Sequence, residues 1–187
     1  MLIRVLHLLT SLRFLPHIII FYSAKNRDLL EYERDRWLKL NRFSKKGIRG
    51  FLQLLIAFPE YRTLFYFRTN SEWLDFFVKG QTNLYFHMKS EQIGRGLVIW
   101  HGYSTGLNAN RIGEDFQVWQ NVTIGKKTTE CVDDRPKIGD NVSVCTGAVV
   151  IGNIIIGNNS VVGANATVVK DVPKNVVVGG NPARTLK

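Results

Sequence analysis

The run IGDNVSVCTGAVVIGNIIIGNNSVVGANATVVKDVP, residues 138–173, divides into sixes without remainder. Cut as IGDNVS, VCTGAV, VIGNII, IGNNSV, VGANAT and VVKDVP, it puts Ile138, Val144, Val150, Ile156, Val162 and Val168 in the first position, every one β-branched. The fifth position holds Val142, Ala148, Ile154, Ser160, Ala166 and Val172, which are small or modest. A six-residue period is the signature of a parallel β-helix. In such a solenoid a short strand turns a corner every six residues, the β-branched side chain fills the interior, and a smaller one sits beside the corner. Three sixes make one triangular coil of about 18 residues, stacked on its neighbours.

The frame extends upstream. It reappears in IGEDFQ, VWQNVT and IGKK, starting at Ile112, Val118 and Ile124, and in IGRGLV and IWHGYS from Ile93 and Ile99. The expectation is about four coils, with residues 81–92 adding an incomplete first turn. One extra residue enters near 105–111, and a longer departure, KKTTECVDDRPK, spans 126–137 and is predicted to protrude. Protruding loops on solenoids often cover binding faces. Glycine recurs in the second position at 94, 113, 125, 139, 157 and 163, with Asn at 141, 153, 158, 159 and 165. These residues are predicted to form corners, where positive φ or a side chain bonding its own backbone is useful.

Nothing of this repeat is visible before residue 81. A chain of 187 residues with 45% hydrophobic content suits one domain and an appendage, without staples. Division into a helical region over 1–80 and a repeat domain over 81–187 is expected. The net charge of +10 is uneven: residues 1–80 hold 14 Lys and Arg against 7 Asp and Glu, and residues 81–187 hold 11 against 8. The opening MLIRVLHLLTSLRFLPHIIIFYSA is greasy, yet Arg13 interrupts it and no small-residue cleavage site follows. A membrane-spanning helix needs about 20 apolar residues, more than this segment offers. Leu2, Val5, Leu6, Leu9, Leu12 and Phe14 fall near one helical stripe, suited to packing on the domain, to a second subunit or to an anionic membrane surface. Cys131 and Cys145 have no metal-ligand spacing and are too sparse for a secreted disulfide scaffold, which points to a reduced, cytoplasmic protein. No interleaving of basic and aromatic residues forms a nucleic-acid motif, so nucleic acid is not an expected partner.

The repeat, with IGRG at 93–96, the His-containing turn at 99–107, NVTIG at 121–125, PKIGDNV at 136–142, VVGANATVVKDVP at 161–173 and GGNPAR at 179–184, resembles the hexapeptide-repeat acyltransferases and their serine acetyltransferase-like branch. The resemblance implies a mainly β fold, a left-handed parallel β-helix with an α-helical N-terminal region. Handedness comes only from this source, because parallel β crossovers are ordinarily right-handed. It also implies an acetyl-CoA-dependent enzyme without a metal, in which one histidine of the early coils is the general base. By motif order that histidine is His101, and the frame independently places it two residues beyond the inward Ile99, outward beside a corner at Gly102. An imidazole with an ordinary pKa near 6.5 can take a hydroxyl proton at neutral pH. The alternative is an ordinary solvated side chain. For coenzyme A the resemblance implies backbone contacts at Gly125, Thr146, Gly147, Ala148, Gly163 and Ala164, and positive charge from Lys126, Lys127, Lys170 and Arg184. The acceptor is expected near Trp100, Tyr103, Asp133, Asp134 and Arg135, and the assembly is expected to be a homotrimer or a higher multiple, with a site at each interface.

Three positions depart from serine acetyltransferases. The aspartate that pairs with their base aligns near Phe86, the acidic residue before their histidine is Trp100, and their substrate-binding Arg-His ahead of Pro-Lys-Ile reads Asp134-Arg135. Together with the form HGYST and the segment EYRTLFYFR at 60–68, these departures favour a sugar hydroxyl, free or lipid-linked at the inner membrane face, in surface polysaccharide synthesis. Serine O-acetylation for cysteine synthesis is the alternative. A gamma carbonic anhydrase-like zinc protein would need three histidines, and only His87 and His101 lie in or beside the coils. A scaffold without catalysis is the remaining class.

Overall fold

The computed structural model describes residues 12–128 and 134–186. The chain forms two compact units, 1–81 and 82–187.

In the first unit four helices are described: α1 (Leu15–Ser23), α2 (Arg27–Leu40), α3 (Gly47–Ala57) and α4 (Pro59–Thr69). The break between α3 and α4 has a local cause. Pro59 opens α4 and forces Phe58 into extended backbone, φ −124° and ψ 107°, which no helix can continue. Phe21, Trp37, Phe51, Leu54, Leu64 and Phe65 are fully buried and make the core of this unit. A buried ion pair, Arg68 to Glu33 at 2.7 Å, crosses it. Most of the expected apolar stripe at the N-terminus, Leu2 to Leu9, lies outside the described residues; Phe14 is buried within the unit and Leu12 is exposed. No helix among the described residues is long and apolar enough to cross a membrane.

The second unit is a left-handed parallel β-helix. Its strands, two or three residues each, line up on three faces. The first face stacks β1 (Leu84–Phe86), β3 (Thr105–Leu107), β6 (Thr123–Gly125), β9 (Val149–Ile151) and β12 (Thr167–Val168). The second stacks β4 (Arg111–Ile112), β7 (Lys137–Ile138) and β10 (Ile155–Ile156), and the third stacks β2 (Val98–Ile99), β5 (Gln117–Val118), β8 (Ser143–Val144), β11 (Val161–Val162) and β13 (Val177–Gly179). A final antiparallel strand, β14 (Arg184–Thr185), pairs with β13. Register confirms the period of six: Val161 lies on Ser143, Ile155 on Lys137 and Thr167 on Val149, each three hexads apart. The six first-position residues from Ile138 to Val168 are at most 3% exposed, and their fifth-position partners at most 7%. Ser160, the one hydroxyl among them, donates to the Pro173 carbonyl at 2.7 Å and so is buried without penalty. The first, incomplete coil is present as β1, whose Leu84 lies on Thr105.

Two expectations about the corners need correction. The second-position glycines do not take positive φ; the left-handed residues beside them are Asn141, Asn159 and Asn175, at φ 53°, 60° and 61°. At 94, 113, 139 and 157 glycine is there for room. A Cβ on Gly94 would stand 2.6 Å from the Gly113 carbonyl carbon, and one on Gly157 2.5 Å from the Lys174 nitrogen, so backbone stacks on backbone along that edge. The asparagines form a ladder of their own, Asn141 Nδ2 donating to Asn159 Oδ1 at 3.1 Å and Asn159 Nδ2 to Asn175 Oδ1 at 2.9 Å. The extra residue of the early coil also moves. Val98 lies on Gln117 and Gly106 on Thr123, so the lengthening falls in the corner 100–105, and the following edge is shorter than its successor.

Candidate active site

The lengthened corner carries the histidine. Ile99, on β2, is inward and buried, and the chain then leaves the face through Trp100 and His101. His101 is exposed, as its place in the frame requires, but it is itself the turning residue, with φ 58°; Gly102 is buried and Ser104 turns the chain again with φ 49°. Among the described residues the His101 imidazole has no hydrogen-bond or ion-pair partner. Phe86, aligned with the missing aspartate, is a half-buried residue of β1 on the neighbouring face.

The corner is tied to the next coil. The Trp100 backbone N–H donates to Val118 O at 2.8 Å, and its indole N–H donates to Gln117 Oε1 at 3.1 Å. The Trp100 and Trp119 rings stack with centroids 6.1 Å apart and planes 28° apart. Tyr103 N–H donates to His101 O, and Asn121 N–H to Tyr103 O at 2.8 Å. The buried Thr105 hydroxyl stands 3.1 Å from Tyr103 O and 3.2 Å from Trp119 O. Gln117, Trp119 and Thr105 were not singled out by the sequence reading. A signal for the pair of indoles was present: Trp100 and Trp119 both occupy the second position of a hexad, where glycine otherwise recurs.

The residues assigned to coenzyme A divide between two edges of the prism. Thr146, Gly147, Ala148, Gly163 and Ala164 lie on the same edge as His101. There Gly147 N–H donates to Gln120 O at 3.0 Å, Thr146 Oγ1 approaches Gln120 O at 3.1 Å, and Asn165 N–H donates to Thr146 O at 2.9 Å. Gly125, Lys126 and Lys127 lie on the next edge, where Gly152 N–H donates to Gly125 O at 3.1 Å. Lys170 and Arg184 are brought together at a cavity of about 410 Å³ that Asp171, Pro173 and Pro182 also line.

The acceptor residues are not brought together as a group. Trp100 and Tyr103 flank His101. Asp133 lies outside the described residues. Asp134 closes the base of the long loop: its carboxylate accepts from the backbone of Lys127 and Thr128 at 3.0 Å each and of Asn153 at 2.8 Å. Desolvation works to raise its pKa, and the hydrogen bonds from Thr128, Asn153 and Lys127 outweigh it, so the group is held below the usual carboxylate range. Arg135 is half-buried, its carbonyl accepts from Asn110 Nδ2 at 3.1 Å, and its Nε is buried without a partner. Among the described residues no group of three or more His, Cys, Asp or Glu is placed to hold a metal ion.

Residues 135–170 match the family model described as bacterial transferase hexapeptide (six repeats). The serine acetyltransferase of Staphylococcus xylosus is 41% identical over 97 residues, 51% of this chain and 45% of that protein. Serine acetyltransferase 3, mitochondrial, of Arabidopsis thaliana is 38% identical over 96 residues, 51% of this chain and 25% of that protein. The chain thus spans less than half the length of the curated relatives it matches. Among solved structures, serine acetyltransferase of Neisseria gonorrhoeae in complex with serine shares the fold with a TM-score of 0.71 and 22% identity, over 90% of this chain and 72% of that one. By its repeat half the chain is similar to the hexapeptide-repeat acyltransferases. Among them its likeness is to the serine acetyltransferase-like branch.

These likenesses overturn the expected sugar acceptor in surface polysaccharide synthesis. That expectation rested on single departures at Phe86, Trp100 and Arg135 and on the form HGYST. The likeness to serine acetyltransferases runs over 96 to 97 residues and outweighs them. With it goes the lipid-linked acceptor that the basic, apolar N-terminus had suggested.

Proposed function

We propose that this chain is an acetyl-CoA-dependent serine O-acetyltransferase with His101 as its general base. The observation that carries the reading is the 38–41% identity with serine acetyltransferases over half of the chain. The exposed imidazole at the corner of the early coil supports the assignment of the base. His101 takes the proton of the serine hydroxyl as its oxygen attacks the thioester carbonyl carbon. The resulting oxyanion collapses, the carbon–sulfur bond breaks, and the proton passes from the imidazole to the departing coenzyme A thiolate. Positioned proton transfer of this kind contributes about 10²–10⁴-fold, and the remainder comes from proximity and from backbone N–H groups facing the oxyanion.

In this reading the edge that carries Thr146, Gly147, Ala148, Gly163 and Ala164 receives the pantetheine arm, and Lys170 and Arg184 at their shared cavity meet its phosphates. Lys126 and Lys127, on the neighbouring edge, are secondary contributors of charge. The protein works as a homotrimer. Exposed Trp73 and Phe76 on the first unit, 56% and 90% exposed, fit a role for that unit in assembly. The sparse cysteines fit a reducing, cytoplasmic setting.

The test is release of free thiol from acetyl-CoA with serine present, for the wild type and His101→Ala. Serine-dependent turnover that falls about 10²–10⁴-fold in the variant is expected. Equal rates remove the base, and no turnover of serine by the wild type removes the acceptor.

A further inference from the structure

Among the described residues of the β-helix thirteen have left-handed backbone, and all but two are Asn, Asp or Gly. The exceptions are His101 and Ser104, and both stand in the corner 100–105. Non-glycine residues in this region cost about 1–3 kcal/mol each and persist where the surroundings over-determine them; Asn, Asp and His are favoured over other residues there. The corner is so determined. Trp100 is held by Val118, Gln117 and Trp119, Tyr103 by Asn121, and the Thr105 hydroxyl bridges Tyr103 and Trp119 across the two coils.

A histidine acting as base is ordinarily oriented by a third group, most often a carboxylate on its second nitrogen. Here the described residues place no such group on His101, and the ties converge instead on the residues before and after it. We infer that Trp100 is a positioning residue: clamped to Gln117 and Trp119 of the next coil, it fixes the strained backbone at His101 and with it the place of the imidazole. The inference rests on the reading of His101 as the base. The clamp lies on adjacent strands of one face, Gln117 opening β5 and Trp100 following β2, so a change at residue 117 reaches the histidine through the Trp100 indole. The indole N–H needs an acceptor at that position, and a carboxylate serves as well as an amide.

The test compares Gln117→Leu with Gln117→Glu in the full chain. Gln117→Leu is expected to lower kcat for serine acetylation about tenfold or more, as displacement of a reacting group does, with KM for acetyl-CoA within about twofold; Gln117→Glu is expected to restore most of the rate. An unchanged kcat in Gln117→Leu, or a loss that Gln117→Glu does not restore, overturns the clamp. A second readout is independent of the acceptor: the backbone amide resonance of ¹⁵N-labelled His101, assigned with His101→Asn, is expected to shift and broaden as the turn loosens in Gln117→Leu only. If the wild type does not acetylate serine, the activity falls while this comparison still decides the clamp, and an amide signal identical in wild type and Gln117→Leu overturns it.

Discussion

Two edges of the same β-helix turn the chain in different ways. On the edge of Asn141, Asn159 and Asn175 each turn is made by a residue that accepts left-handed backbone readily, and side-chain amides link successive coils. On the edge of His101 the first turn is longer than its successors and uses His101 and Ser104, while later coils use Asn121, Gly147 and Asn165. Where a turn serves only the fold, residues suited to it recur. Where it departs from them, at His101 and Ser104, the corner is braced by a pair of indoles and a buried hydroxyl.

The contrast can be broken most severely on the asparagine edge. Gly113→Ala puts a Cβ 2.6 Å from the Gly139 carbonyl carbon, backbone against backbone, and is expected to destabilise the second unit by about 3 kcal/mol. The midpoint of urea unfolding measures it, and a loss below about 0.5 kcal/mol refutes the stacked-backbone account of these glycines.

A pH titration sharpens the contrast by acting on the first unit. His17 is fully buried, its Nε2 lies 3.0 Å from the Tyr66 hydroxyl, and its Nδ1 has no partner. Desolvation, aided by the Arg62 charge, lowers its pKa from 6.5 to about 4. Between those values the unfolded chain binds a proton that the folded unit refuses. The contribution is therefore fully present above pH 6.5 and is lost as pH falls toward 4, at up to about 1.4 kcal/mol per pH unit. His17→Phe is expected to flatten that slope for the signals of helix unfolding, and a slope unchanged by the substitution contradicts the buried neutral imidazole.

The smallest effect concerns the ladder. Asn159→Ala removes a left-handed preference and two side-chain hydrogen bonds and is expected to cost about 1 kcal/mol, with Asn159→Gly about half of that. Equal stability of Asn159→Ala and wild type would show that the ladder is incidental.

The repeat was legible because a solenoid writes its interior directly into the period: Val144, Val150 and Ile156 can be placed inside from spacing alone. The corners were less so. Gly113 and Asn141 both suit tight turns, and the choice between room and positive φ depends on what lies in the next coil, two dozen residues away in the chain. The extra residue could be counted but not located, since the register of Gly106 on Thr123 is a property of paired strands. Asp134 read as an acceptor-binding residue because its partners, on Lys127, Thr128 and Asn153, are backbone groups with no side-chain signature. The acceptor was misjudged for a related reason: Phe86 and Trp100 were weighed one by one against a likeness that spreads over half the chain.

The central claim is that the imidazole of His101 serves the chemistry while its left-handed backbone serves the turn. His101→Asn tests it most directly, because asparagine takes left-handed backbone readily and removes the imidazole. Thermal unfolding is expected to stay within about 2 °C of wild type or to rise, while serine-dependent thiol release falls at least about 10²-fold. A variant that melts well below the wild type, or one that still turns over at the wild-type rate, would contradict it.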